Sequence, residues 1–172
     1  MPKKTIRSTK YISFMSLLVL FMAILIIWAV KRGDQSYRIP DSISKNLDFP
    51  VLFLQNPSNG YQLDKTSIKY SAQPDSTKLF SFIVYNQSTR VTFSEQAYPD
   101  ALIYDKFTNS LNPYSDVGTI YGDVTLGKPK DSGGQEVAGF KYNDSTLLFA
   151  KPSSALSDPD WRQLINSLEP VK

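Results

Sequence analysis

Residues Leu79 to Gln96 read LFSFIVYNQSTRVTFSEQ, and this stretch indicates an antiparallel β-hairpin. Leu79 to Tyr85 is apolar on both faces, as expected of a central strand. Arg90 to Gln96 alternates, with Val91 and Phe93 on one face and polar residues on the other, which is the period of a half-buried strand. The link between the two runs has four residues, whereas parallel strands need a crossover of a dozen or more. The two strands are therefore predicted to pair antiparallel.

Five further segments have the composition or the period of strands. They are Phe49 to Leu54, Ser67 to Ala72, Val117 to Leu126, Glu136 to Tyr142 and Thr146 to Ala150. Turn residues separate several of them, at Asn56 to Gly60, Ser132 to Gly134 and Asn143 to Ser145. The sequence thus predicts a domain with a mainly antiparallel sheet.

Two segments change to a helical period. Asp100 to Leu111 places Ile103, Phe107 and Leu111 four residues apart, and Pro113 is expected to end this helix. With a second helix near the C-terminus, these patterns define an α+β fold class: one antiparallel sheet with about two packed helices.

The second helix has a clear start and stop. Asp158 is expected to cap it, Pro159 fits its first position, and Pro170 is expected to stop it. Its apolar stripe comprises Trp161, Leu164, Ile165 and Leu168. The stripe could dock to a partner, but a helix of about ten residues is marginal alone, so packing on the sheet of its own domain is favoured.

Residues Ile12 to Val30 form an apolar run, ISFMSLLVLFMAILIIWAV, in which only Ser13 and Ser16 are polar. At about 1.5 Å per residue, these nineteen residues nearly span the ~30 Å hydrocarbon core of a bilayer. A cleaved secretory signal is the alternative, because basic residues precede the run. The run exceeds the roughly 7 to 15 residues of such a signal and lacks a small-x-small cleavage pattern. The sequence therefore favours an uncleaved transmembrane helix.

Charge divides the chain at Arg32. The first 32 residues carry six basic residues and no acid, and the other 140 carry thirteen basic and sixteen acidic residues, a net charge of −3. The basic pI near 9.0 thus belongs to the anchor. Binding to nucleic acid is disfavoured, because phosphate contacts need clustered Lys and Arg on the folded domain.

Orientation depends on length, because basic residues flank the span almost equally. A long trailing domain is translocated largely regardless of its charge. The expected order is a cytoplasmic tail at 1–11, a transmembrane helix at 12–30, a juxtamembrane linker at 31–42 and an extracytoplasmic β-rich domain at 43–172. Location in the cell membrane, with the N-terminus cytoplasmic, follows.

Catalytic chemistry is restricted by composition. The chain has no His and no Cys, which excludes Ser-His nucleophiles, thiolate catalysis and His or Cys zinc sites. It also has no glycine-rich phosphate loop. Asp158 and Asp160 are interpreted as the cap and first turn of the last helix. No catalytic, cofactor-binding or metal-binding residue is predicted.

Glu95 is the one acid of interest. It keeps the phase of Val91 and Phe93 and could point towards the core, where burial would raise its pKa. The favoured interpretation is that the strand has left the core by Glu95, so that the carboxylate is solvated or paired with a Lys. Paired-carboxylate catalysis also needs a second acid at a defined distance, and the sequence does not identify one.

Several short motifs in order resemble a group of small bacterial single-pass membrane-anchored proteins with an outward-facing β-rich domain of unknown function. The motifs are Phe49 to Phe53, Asn59 to Asp64, Ser67 to Tyr70, Thr92 to Gln96, Gly118-Thr119 and Leu164 to Leu168. In that group a P-x-G-Y-like turn and an S-E-Q strand end recur; here Pro57 is displaced one position before the turn at Ser58 to Tyr61. The resemblance implies architecture and location, and no activity.

Two functions are compatible with the sequence. The first is a membrane-anchored extracytoplasmic, non-catalytic domain that binds a protein or a cell-envelope component. The second is a carboxylate-dependent hydrolase at the outer face of the membrane, which would require Glu95 to line a pocket with a second acid. A complete transmembrane receptor is disfavoured because eleven cytoplasmic residues contain no output domain. The bilayer, through residues 12–30, is the one partner that the sequence identifies.

Overall fold

The structure is a computed structural model that describes residues 21–22, 36–72, 77–97, 101–131 and 134–171. The chain divides into two units, Met1–Ser36 and Tyr37–Lys172. Apart from Phe21 and Met22, the predicted span at 12–30 lies outside the described residues. Within the described ranges, no helix combines the length and the apolar character that a membrane crossing requires.

The second unit contains nine strands and three helices in the part of the chain that the structure describes. The strands are β1 (Val51–Phe53), β2 (Gln62–Ala72), β3 (Lys78–Tyr85), β4 (Arg90–Ala97), β5 (Leu111–Thr119), β6 (Gly122–Pro129), β7 (Val137–Tyr142), β8 (Thr146–Pro152) and β9 (Glu169–Val171). The helices are α1 (Asp41–Ser44), α2 (Ala101–Asn109) and α3 (Asp158–Asn166). The mainly antiparallel, α+β-like character that the sequence predicts is confirmed.

Seven strands form one antiparallel sheet in the order β2-β3-β4-β8-β7-β6-β5. It consists of two meanders, β2 to β4 and β5 to β8, and the pairing of β4 with β8 joins them. The register runs from Val91 opposite Pro152 to Ala97 opposite Thr146. The remaining strands, β1 and β9, pair antiparallel in a separate two-stranded sheet.

One hydrophobic core unites the face of the large sheet with the last helix. Phe80, Phe82 and Val84 of β3 are fully buried, and so are Val91 and Phe93 of β4. The rings of Phe82 and Phe93 stack at 5.0 Å between centroids. The predicted stripe, which is Trp161, Leu164 and Ile165 of α3 and Leu168 just after it, belongs to the same core. The predicted packing of this helix within its own domain is confirmed.

The start of α3 differs from the prediction by one residue. Ser157, not Asp158, is the N-cap: its hydroxyl accepts a hydrogen bond from the backbone N–H of Asp160. The carboxylate of Asp160 accepts in return from the backbone N–H of Ser157, at 3.2 Å. This capping box satisfies two amides that the first helical turn leaves unpaired. The helix ends at Asn166, and Pro170, which was predicted to stop it, lies in β9.

The predicted end of helix α2 and the predicted single strand that follows it were both wrong. Helix α2 ends at Asn109, and Leu111 begins β5. The predicted strand from Val117 to Leu126 is a hairpin of β5 and β6. Thr119, Ile120 and Tyr121 all favour strands, so the turn is invisible in the hydrophobic pattern. Gly122, with φ of +111°, adopts the left-handed conformation that the reversal requires.

The folded unit also begins earlier than predicted. The predicted linker at 31–42 includes Tyr37 and Ile39, which are both buried in the core. The backbone N–H of Tyr37 donates a hydrogen bond to the carbonyl of Gln55. Residues 37–42 are therefore part of the folded unit, because two apolar side chains and a backbone hydrogen bond hold them there.

Candidate functional site

A groove lies on the face of the sheet opposite the core, beside helix α2. Because side chains alternate along a strand, Thr92 and Ser94 of β4 face away from Val91 and Phe93. In β8, Lys151 is the cross-strand neighbour of Thr92, and Phe149 is the neighbour of Ser94. Phe107 of α2 and Val137 of β7 complete this outer face, which encloses a volume of about 380 Å³. All six residues line the same groove.

Aromatic packing holds α2 on this face. The ring of Phe107 lies 5.0 Å from that of Phe149, edge to face. Gly139 provides the space for it: a Cβ atom built on Gly139 would lie 2.7 Å from Cζ of Phe107. No real Cβ atom approaches a ring that closely, so glycine is required under the ring as it stands.

A polar chain fixes the other side of α2. The hydroxyl of Thr125 donates to Oδ1 of Asp116 at 2.8 Å, so the hydroxyl of Tyr104 donates to Thr125, at 2.9 Å. The amine of Lys141 lies 5.0 Å from the centre of the Tyr104 ring, within the range of a cation–π interaction. These contacts hold the helix that forms the wall of the groove.

The groove is polar at one end and apolar at the other. Thr92 and Lys151 form one cross-strand row and are exposed, whereas Ser94 and Phe149 form the next row and are half-buried. The two rows are about 7 Å apart, because alternate residues of a strand are separated by two rises of about 3.3 Å. Phe107 covers the second row, so the amine lies at the open end and the rings at the covered end.

Lys151 brings to the open end a positive charge that has no ion-pair partner among the described residues. The ion pairs within the described residues join Lys78 to Asp48 and Arg90 to Asp64, and neither involves the groove. No acidic side chain is among the described residues that line it. The hydroxyls of Thr92 and Ser94 also make no hydrogen bond to another described residue. Among the described residues, the groove therefore presents one cation and two hydroxyls without a partner, beside an apolar wall.

Glu95 lies on the opposite face and is completely buried. The expectation of a solvated or Lys-paired carboxylate was wrong, because β4 continues along the core through Ala97. Its Oε2 accepts a hydrogen bond from the backbone N–H of Leu52 at 2.9 Å, and its Oε1 has no hydrogen-bond partner among the described residues. Glu95 does not line the groove.

The partner of Glu95 explains why an acid occupies the core. Leu52 lies opposite Pro170 in the small sheet. Its N–H donates away from β9 to Glu95, and a buried N–H without an acceptor is costly. A second bond ties the same segment to β8, from the hydroxyl of Thr146 to the carbonyl of Pro50 at 2.6 Å. Glu95 and Thr146 thus connect the small sheet to the large one.

Burial raises the pKa of Glu95 well above its ordinary value of 4.5, and the hydrogen bond from Leu52 opposes this shift only in part. Desolvation disfavours the charged form when no cation compensates it. Burial therefore favours the protonated, neutral form of this side chain. A neutral, enclosed carboxyl group that holds a backbone amide is a structural element.

The sequence missed the groove because it assembles residues that are distant in the chain. The alternation of β4 placed Thr92 and Ser94 on the outer face, but only the register of β8 on β4 brings Phe149 and Lys151 beside them. The helical period predicted the apolar stripe that includes Phe107, but it did not predict that Phe107 contacts the ring of Phe149. Of the described residues, no group of three or more acids is arranged to hold a metal ion.

Comparisons with models of protein families, with characterised proteins and with solved structures find no match to this chain. The resemblance to bacterial membrane-anchored domains therefore stays a prediction. The geometry of the site itself carries the functional argument.

The raised pKa of Glu95 predicts a pH-dependent stability. Above pH 4.5 the folded protein keeps a proton that the unfolded chain has released, so the free energy of unfolding falls by up to about 1.4 kcal/mol per pH unit until the folded-state pKa is reached. Glu95→Gln cannot titrate and should remove this slope. Urea unfolding of the full chain in a non-ionic detergent, at a series of pH values between about 5 and 8, measures it.

The matched control is Glu169→Gln, which alters an exposed glutamate. This variant should keep the slope of the unaltered protein. Parallel pH profiles for Glu95→Gln and the unaltered protein would show that Glu95 is charged in the folded state, contrary to the structure.

The contact between Gly139 and Phe107 predicts a strongly coupled pair. Gly139→Ala should lower the free energy of unfolding by about 1 to 3 kcal/mol, the usual cost of overpacking. In a Phe107→Ala background the same substitution should cost nothing, because the ring that it meets is gone. A double-mutant cycle by urea unfolding measures the coupling; equal costs in both backgrounds would contradict the placement of α2.

Proposed function

We propose that this protein is a single-pass membrane protein whose extracytoplasmic domain binds a cell-envelope component in the groove beside α2. The anchor at residues 12–30 would hold the domain at the outer face of the cell membrane. Binding, not catalysis, is the proposed activity. The bilayer and the bound component are the proposed partners.

The support for the location comes from the sequence. The nineteen-residue apolar run has the length of a membrane-spanning helix, and the six basic residues of the first 32 flank it. The rest of the chain, with a net charge of −3, lacks the basic surface of a protein that binds nucleic acid.

The observation that carries the binding function is the groove. Ligand sites are concave and mostly apolar, with a few polar groups that orient the ligand. Phe107, Phe149 and Val137 supply the apolar wall, and Thr92 and Lys151 supply the polar end. Its volume of about 380 Å³ falls in the range of small-molecule sites.

The carboxylate-dependent hydrolase is the weaker alternative. Glu95 has the raised pKa that a general acid needs. Its side chain is fully buried, however, and its Oε2 is occupied by the N–H of Leu52. A substrate in the groove would meet the other face of β4, so Glu95 would not reach it.

The absence of cysteine from the sequence allows one experiment to test both location and binding. Thr92→Cys introduces a single thiol at the exposed end of the groove, and Gln163→Cys introduces one on the exposed side of α3 as the matched control. Intact cells are treated with a membrane-impermeant maleimide that carries a benzophenone and are then irradiated. Captured components are identified by mass spectrometry.

Both thiols should react in intact cells, and a component should be captured at position 92 and not at position 163. If neither thiol reacts until the cells are lysed, the domain does not face outward. If both positions react but capture the same material, the groove is not the binding site.

A further inference from the structure

We propose that the ligand of the groove is a small amphipathic monoanion: a carboxylate attached through a short chain to an aromatic group. This inference rests on the proposed function, because it names the chemical class of ligand for the same groove. Three features of the groove define that class: its charge, its wall and its dimensions.

The charge of the open end suits a single carboxylate. Lys151 is the only lysine among the described residues that line the groove, and it has no ion-pair partner there. The hydroxyl of Thr92, on the neighbouring strand, supplies a second donor in the same cross-strand row. An ammonium group and a hydroxyl side by side match the two oxygens of a carboxylate.

Lys141, a further lysine beside α2, is not among the residues that line the groove. The amine of Lys141 lies 5.0 Å from the centre of the Tyr104 ring, on the side of the helix that Tyr104 anchors. Among the described residues that line it, the groove thus offers one positive charge rather than a cluster. One positive charge favours a monoanion over a phosphate dianion, because each further negative charge would be left without a partner when desolvated.

The wall of the groove suits an aromatic group. Phe107 and Phe149 meet edge to face at 5.0 Å, and both side chains are half-buried, so part of each ring faces the groove. A third ring beside them would gain both apolar contact and the edge-to-face geometry that aromatic groups prefer. The ring of Phe107 fills the space above Gly139 and packs on Phe149, so this wall exists before the ligand arrives and little ordering is required.

The dimensions limit the length of the ligand. The row of Thr92 and Lys151 and the row of Ser94 and Phe149 are adjacent on the same face, about 7 Å apart. A carboxylate at the first row and a ring at the second therefore require a linker of only a few carbon atoms. The hydroxyl of Ser94, in the second row, has no hydrogen-bond partner among the described residues and can bind a polar atom of that linker.

The probe for this inference is 4-phenylbutyrate, measured by calorimetry on the full chain in lipid nanodiscs, with empty nanodiscs subtracted. Two comparison compounds separate the contributions of the charge and of the ring to the affinity. 4-Phenylbutan-1-ol keeps the ring and chain without the charge, and acetate keeps the charge without the ring. Both should bind at least about tenfold more weakly than 4-phenylbutyrate, because a charge-assisted hydrogen bond or a buried ring each contributes about one order of magnitude.

Variants separate a specific charge from general attraction. Lys151→Gln should weaken the binding of 4-phenylbutyrate about tenfold and leave that of the alcohol unchanged. Lys151→Arg should keep most of the affinity, because it keeps the positive charge. If Lys151→Gln weakened binding only by disturbing the fold, the conservative variant would not be expected to retain affinity. Lys128→Gln is the matched control: Lys128 is also an exposed strand lysine, on β6 and outside the groove, and its replacement should leave the affinity within about twofold.

Equal affinities for the acid and the alcohol would overturn the inference, and so would a failure of 4-phenylbutyrate to bind. Either result would leave the proposed function standing if the thiol at position 92 still captured an envelope component. Conversely, Lys151-dependent binding of 4-phenylbutyrate without any capture in cells would uphold the ligand class and contradict the envelope-binding function.

Discussion

The pairing of β4 with β8 is the constraint on which the rest of the structure depends. Each strand ends a separate antiparallel meander, and their seven-residue register turns two meanders into one sheet. Because side chains alternate, this one pairing also assigns every residue of β4 to a face. Val91, Phe93 and Glu95 enter the core, whereas Thr92 and Ser94 line the groove. The core and the candidate site are thus two sides of the same pair of strands.

The polar chemistry of the two faces is different in kind. On the core side, a buried carboxyl group satisfies the backbone N–H of Leu52, which the small sheet leaves without an acceptor. Protonation avoids the cost of a buried charge, so the Glu95 carboxyl group can hold the backbone of Leu52 by a hydrogen bond within the core. On the groove side, Thr92, Ser94 and Lys151 keep donors without partners in the described part of the chain. Unused donors beside an apolar wall are what distinguishes a ligand site from a core.

Local patterns predicted much of this fold, and long-range pairing explains the rest. Alternation identified β4 and the phase of Glu95, and the stripe of α3 predicted its burial. Glu95 was nevertheless expected to be solvated, because its partner Leu52 is 43 residues away and no local pattern links the two. For the same reason Lys151 was not recognised as a neighbour of Thr92. The hairpin at Ile120 was missed because strand-favouring residues fill its turn.

In the proposed function, the outer face of the β4 and β8 pair binds ligand, whereas its inner face is sealed within the core. Methyl-labelled NMR of the full chain in nanodiscs, titrated with 4-phenylbutyrate, tests it through two side chains: Val137 lines the groove, and Leu52 is fully buried beside Glu95. The methyl resonances of Val137 should shift with saturation, while those of Leu52 should stay in place. Shifts at Leu52 with Val137 unchanged would contradict it.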